Sequence, residues 1–188
     1  MKFCSQCGAT VTVRTPIHDH LPRHVCDRCE TIHYQNPKIV AGCIAEWHDE
    51  ILLCRRAIEP RVGLWTLPAG FMENRETTLE AAARETWEEA MARVTELSLF
   101  GLFNLPHIDQ VYVIFRGHLE NGSAAAGPES SEVQLYREAT IPWDSIAFPV
   151  VKVALELYFS DRKRGTYETH VADVIRHADR RIEIRHHE

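Results

Sequence analysis

The chain has 188 residues, 45% of them hydrophobic and 26% charged, enough for one sizeable core and a small accessory module. No apolar run approaches the roughly 18 residues that cross a bilayer, and the start Met1-Lys2-Phe3-Cys4 carries no apolar signal segment, so a cytoplasmic protein without membrane partners is the expectation. A net charge of −6 argues against nucleic acid held on a basic surface, and an anionic ligand would have to be held through cations.

Residues 1–36 are poor in large aliphatics and hold Cys4, Cys7, Cys26 and Cys29 with His18, His20, His24 and His33. From Lys38 a strand pattern runs through Ile39–Ala45, turns at His48-Asp49-Glu50, and continues in Ile51–Cys54, which reads as a hairpin. A loop rich in Pro and Gly follows from Pro60 to Gly70. The clearest helix covers Leu79 to Ala92, opened by Thr77 as N-cap with Glu80 three residues on, a capping box. Strands are expected near Leu97–Phe103 and Gln110–Leu119, then a small-residue loop from Asn121 to Pro128 and a strand near Val133–Tyr136. Pro149 precedes a second helix, Val150 to Tyr158 or a little beyond. The tail 166–188 is uneven and charged, with one strand expected at Arg181–Arg185. This order predicts an α/β (α+β) chain with a mixed sheet, divided as 1–36, 37–165 and the tail.

Cys4-x2-Cys7 and Cys26-x2-Cys29 stand 18 residues apart, the spacing of a four-thiolate Zn²⁺ site. Each pair aims two sulfurs at one tetrahedral centre, and four protein ligands leave no open position, so the zinc is structural. The histidines are assigned no ligand role. Cys43 and Cys54 lie in strand-like runs and read as buried fillers.

Glu85, Glu88 and Glu89 stand at i, i+3 and i+4, on one face of the helix. Like charges this close destabilise a helix unless a hard cation such as Mg²⁺ or Mn²⁺ draws them together. Taken alone, the stripe could equally be a solvated acidic face. Arg84 is placed to pair with a carboxylate, and Gly70 would let backbone pass close to a metal.

The stripe belongs to a longer string. Gly70-x5-Glu76-x7-Arg84-Glu85-x2-Glu88-Glu89 resembles the Nudix box in all six fixed positions from Gly70 to Glu89. Three positions depart: Thr86 replaces an aliphatic residue, Met91 stands where the family has Gly, and Ala92 is small for the last aliphatic. The zinc ribbon, Tyr34-Gln35-Asn36-Pro37-Lys38 and the box together resemble NADH pyrophosphatases and a related group. Gly63–Gly70, Gly127-Pro128-Glu129-Ser130 and Leu155–Tyr158 look like the plant chloroplast Nudix enzymes that split FAD and ADP-ribose. The resemblance implies a Nudix α/β/α sandwich. It implies divalent metal (Mg²⁺ or Mn²⁺) on Glu85, Glu88, Glu89 and the carbonyl of Ala69, with Glu76 and Arg84 orienting the carboxylates. A last acidic group is expected from a loop, at Glu132 ahead of Glu129. The implied activity is hydrolysis of the diphosphate in FAD or ADP-ribose first and NADH next, releasing AMP from a small-molecule partner. A homodimer is implied by family alone.

Trp65, Phe71, Phe103 and Tyr112 are candidates to stack a base, and Arg55, Arg56 and Arg61 to meet phosphates. Two other classes stay open: a zinc-ribbon nucleic-acid-binding protein, for which Arg14, Arg23, His24 and Arg28 supply only a weak basic cluster, and a regulator that senses a nucleotide without cleaving it, which a box damaged at a ligand would favour.

Overall fold

A computed structural model describes residues 1–187, in two compact units, Met1–Pro37 and the described residues from Lys38 on. The first unit holds three short antiparallel strands, β1 (Val11–Arg14), β2 (Arg23–Cys26) and β3 (Ile32–His33), in the order β1-β2-β3. Its buried apolar side chains are Cys4, Val25 and Cys26. That is far too little apolar surface to hold a fold unaided.

The second unit is built on one mixed sheet. In chain order its elements are β4 (Lys38–Trp47), β5 (Glu50–Arg56), β6 (Trp65–Thr66), β7 (Ala69–Phe71), helix α1 (Thr78–Ala90), β8 (Val94–Leu105), β9 (Gln110–Leu119), β10 (Ser130–Tyr136), helix α2 (Pro149–Arg164), β11 (His170–Arg176) and β12 (Ile182–His187). The main path of the sheet is β10-β5-β4-β9-β8-β11-β12, with β6 on β5 and β7 on β4. Strand β4 runs parallel to β9, and β11 parallel to β8; the other pairs are antiparallel.

Alternation along β4 separates the two faces. Val40 and Ile44 join Ile51, Leu53 and the α2 residues Val151, Leu155 and Tyr158 in the larger core. Ala41, Cys43 and Ala45 point the other way, toward Ala81, Ala82 and Ala90 of α1. Small residues on both sides of that second interface let α1 lie close on the sheet. The result is the expected α/β/α sandwich. Cys43 and Cys54 are buried fillers in the second interface, as the strand pattern implies.

The hairpin of β4 and β5 is closed only near its turn, where Glu46 pairs with Ile51 and Trp47 with Glu50. Beyond that the two strands part. The inner edge of β5 takes Trp65 and Thr66, and the inner edge of β4 takes Ala69, Gly70 and Phe71. The backbone N–H of Cys43 donates to Pro68 O at 3.1 Å between them. The fork thus sets Ala69–Phe71 beside α1.

Several boundaries differ from the sequence expectation. The strand expected at Leu97–Phe103 runs from Val94 to Leu105, and α2 extends to Arg164. The tail forms two strands where one is expected. It is steered there by Asp161, a fully buried carboxylate that accepts from His170 Nε2 at 2.7 Å and from the Glu168 backbone at 3.3 Å. Burial alone would push Asp161 up, but His170 and Arg164 hold it below the usual carboxylate range.

Helix α1 starts as its capping box requires, with Thr77 and Glu80 bonded reciprocally. It ends on Met91, at φ 48° and ψ 29°, the left-handed conformation for which the family uses Gly. An L-residue there is disfavoured by about 1–2 kcal/mol, and the half-exposed Met91 side chain has little packing to lose. Met91→Gly is therefore expected to stabilise the protein by about 1 kcal/mol, read as a shifted urea midpoint at unchanged slope. Thr86, the second departure, is buried and turns its hydroxyl to Ala82 O at 2.7 Å, so the polar atom is satisfied within the helix.

Among the described residues no helix is long and apolar enough to cross a membrane.

Candidate active site and zinc centre

In the first unit the ligand atoms of Cys4, Cys7, Cys26 and Cys29 all lie within 4.8 Å of one another. The sulfur separations are 3.7 Å for Cys4–Cys29, 3.4 Å for Cys7–Cys26 and 3.5 Å for Cys7–Cys29. A disulfide would bring sulfurs to about 2.05 Å, whereas a tetrahedron with arms of about 2.3 Å has edges near ~3.8 Å. The cluster has the second geometry and fits zinc. Backbone N–H groups of Gln6, Arg28 and Cys29 point at Cys4 or Cys26 sulfur at 3.4 Å, as thiolates require. His33 Nε2 sits 3.3 Å from Cys4 Sγ, a partner of the sulfur and not a fifth ligand.

In the second unit the box residues converge on Arg84. Its Nε and Nη2 grip Glu76 at 3.0 and 2.8 Å, and Nη1 reaches Glu85 and Glu88, both at 2.8 Å. Nη2 also donates to Phe71 O at 3.2 Å, tying β7 to the helix. The guanidinium first, then the Glu73 backbone N–H, holds Glu76 down to about 2. Gly70 faces Glu85 so closely that a Cβ would collide with every atom of its carboxylate. The close passage expected of Gly70 is thus a passage over Glu85.

Glu89 is the deepest of the three, 5% exposed, and among the described residues its carboxylate takes one hydrogen bond, from Ala69 N–H at 3.3 Å. Burial pushes it up to about 8, against the pull of that N–H, and the Glu85 charge adds to the rise. Burial also raises Glu85, with Arg84 opposing. Glu88 is exposed and drawn toward Arg84. Among the described residues only the four cysteines gather three or more ligand atoms within 4.8 Å, so the carboxylates share a face without meeting at one point. Two nearly buried carboxylates, one with a single weak donor, form a site whose oxygen chemistry suits a hard cation.

The loop carboxylates are placed differently from expectation. Glu132 does not precede a strand; β10 begins at Ser130, because a bulge between Ser130 and Glu132 extends its pairing with β5 to Arg56 and Arg55. Within β10, Glu132 pairs with Arg55 at 3.3 Å, both side chains 46% exposed. Glu129 is the loop group whose negative charge reaches both Glu85 and Glu89. Arg56 sits near enough to Glu89 to oppose its rise. Its guanidinium is aimed by Pro60 O, which accepts from Nε at 2.7 Å.

Of the four aromatic candidates, Trp65, Phe103 and Tyr112 are core. Phe71 is 49% exposed, one residue from Gly70, with Lys38 Nζ 4.8 Å from its ring centroid. One further contact escapes sequence reasoning: Gly127 docks on the end of α1, with its N–H 3.0 Å from Glu89 O. The Gly-Pro dipeptide just before Glu129 marks a turn and is the one signal for it.

Residues 36–159 match the NUDIX domain family, and residues 2–35 match the Nudix N-terminal zinc ribbon. A NUDIX hydrolase crystal structure from Nitrosomonas europaea is similar at 52% identity and a TM-score of 0.90, covering 93% of this chain and 99% of that one. The chain is 30% identical over 124 residues to an ADP-ribose pyrophosphatase of Methanocaldococcus jannaschii, 64% of this chain and 72% of that protein. It is 35% identical over 103 residues to an NAD-capped RNA hydrolase NudC of Vibrio vulnificus (strain CMCP6), 54% of this chain. The chain spans only 37% of that relative's length. Matched across its ribbon and across most of its sheet and helices, and carrying the box in the geometry above, the chain belongs to the Nudix hydrolase family.

Proposed function

We propose that the protein hydrolyses the diphosphate of an adenosine diphosphate joined to a second group, with ADP-ribose first and NADH and FAD as further candidates. The observation that supports this most is the buried Glu89 carboxylate with one donor beside Glu85, an acidic pocket that needs cations to ionise fully. The names of the ADP-ribose pyrophosphatase and NAD-capped RNA hydrolase relatives support ADP-ribose over the FAD that the plant-type resemblance favours.

Glu85, Glu88 and Glu89 would hold the divalent ions with the Ala69 carbonyl, Glu88 leaving Arg84 to do so. When bound, such ions acidify water and offset the charge of the diphosphate. Arg84, clamped on Glu76, fixes the face that Glu85 presents. Glu129 accepts the proton of the attacking water as oxygen bonds to phosphorus and the anhydride P–O bond breaks. AMP and a second monophosphate leave. Arg56 meets a phosphate oxygen, and Phe71 offers its open face to a planar ring. The homodimer implied by family belongs to this reading.

The test is incubation of purified protein with ADP-ribose, NADH, FAD and NAD-capped RNA, with Mg²⁺ or Mn²⁺, and chromatography of the products. Release of AMP from ADP-ribose is expected. No cleavage of any of the four overturns the reading.

A further inference from the structure

We propose that Gly127 is a positioning residue for the reaction: it pins the turn Gly127–Ser130 to the C-terminal end of α1, so that Glu129 faces the helix carboxylates. The inference rests on the role given to Glu129 above.

The last carbonyls of a helix have no partner within it. In α1 two of them are taken by the loop that follows β9. Ala90 O accepts from Ala125 N–H at 2.8 Å, and Glu89 O from Gly127 N–H at 3.0 Å. Gly127 is buried against the helix backbone. A Cβ on it would overlap the Glu88 carbonyl oxygen, and would lie 2.8 Å from the Glu88 carbonyl carbon and 3.2 Å from that of Glu89. These obstacles are main chain in a helix and cannot swing aside as a side chain would. Any residue larger than Gly must push the turn away from α1.

What the turn carries makes that distance matter. Gly127 O accepts from Ser130 N–H at 3.1 Å, closing four residues with Pro128 in the second position, where its fixed φ suits the turn. Glu129 O accepts from Ala57 N–H at 2.8 Å, at the end of β5. The main chain of Glu129 is thus held by α1 on one side and by β5 on the other. Its exposed side chain makes no hydrogen bond among the described residues, yet its charge acts on Glu85 and Glu89. One helix therefore supplies carboxylates from its face and, through its terminal carbonyls, sets the place of a carboxylate from another segment.

The experiment measures kcat and KM for ADP-ribose with Mg²⁺ in the parent, Gly127→Ala, Glu129→Gln and the double variant, beside thermal melts. Loss of the proton acceptor lowers kcat by about 100-fold or more, and a displacement of about 1 Å lowers it on a similar scale. Both single variants are expected to show that fall with KM little changed, and the double variant to fall no further than Glu129→Gln alone. Falls that multiply in the double variant overturn the inference, because Gly127 would then act independently of Glu129. Full activity of Gly127→Ala beside an impaired Glu129→Gln also overturns it, with the reading of Glu129 intact. Full activity of Glu129→Gln overturns that reading and the inference with it. If Gly127→Ala gives no cooperative melt, Pro128→Gly loosens the turn without adding an atom beside the helix. Its fall in kcat, about 10-fold as a partial form of the same displacement, is expected to vanish in the Glu129→Gln background, and its persistence there overturns the inference.

Discussion

Replacing Glu89 with Gln is expected to lower turnover on the order of a thousandfold while making the metal-free protein more stable at pH 8. The two effects share one cause. Glu89 is nearly buried, with one backbone donor, so its charge is poorly solvated and burial pushes it up to about 8. The unfolded chain releases that proton near 4.5. Folded-state proton binding thus contributes stability that is full below about pH 4.5 and is lost as pH rises through about 8. Glu85, also raised by burial, acts in the same direction. The metal-free parent should therefore melt at falling temperatures across that window. Glu89→Gln should flatten the curve, since an amide has no proton to lose and its oxygen can still accept from Ala69 N–H. Mg²⁺ should raise the parent's melting temperature more at pH 8 than at pH 6, and that of Glu89→Gln little at either. Turnover close to the parent's would remove Glu89 from the site.

Removing zinc is expected to unfold residues 1–37 outright. Three apolar side chains are buried there, and two of them are the ligands Cys4 and Cys26. Structural zinc in such modules contributes apparent energies of about 10–16 kcal/mol, far above the few kcal/mol by which a small domain is usually stable. Metal analysis should find one zinc per chain, and Cys26→Ser should lose it. Hydrogen exchange then discriminates. Amides of β1 and β2 should lose their protection, while those of β4 and β9, in the large sheet, should keep it. Protection of the ribbon amides that survives a zinc chelator would mean that something other than the metal holds the first unit.

What could be read from sequence was local or carried by a fixed spacing. Thr77 and Glu80 are three residues apart and their bonds need nothing else, so the helix start was legible. The four cysteines and the Arg84–Glu89 string are legible for the same reason. Sequence could not place Glu132 inside β10, because that boundary is set by register against Arg55 on a strand far away in the chain. Nor could it separate Phe71 from Trp65, Phe103 and Tyr112, which are alike as aromatic residues and differ only in what packs over them. Of the two tail strands, β12 overlaps the strand expected at Arg181–Arg185, whereas β11 was missed: it buries only Ala172 and Val174, with Asp173 between them, and its place is set by pairing with β8 far away in the chain. Met91 shows the converse: its position in the box signals a left-handed helix end even though the residue type argues against one.

The parting of β4 and β5 leaves their alignment to separate stretches of chain. Strand spacing at the mouth is fixed by β6 and β7, which occupy it, and the alignment of the two strands is fixed at the opposite end by the tight reversal at His48 and Asp49. The crossing from Arg56 to Trp65 closes the β5–β6 hairpin, with Arg56 N–H donating to Leu64 O at 2.9 Å and Gly63 N–H to Arg56 O at 2.8 Å, and its Pro60 carbonyl holds the Arg56 side chain. A change in the length of this segment would therefore re-aim Arg56 while β7 kept Ala69 and Gly70 on β4, so the proposed phosphate contact and the carboxylate face answer to different stretches of chain.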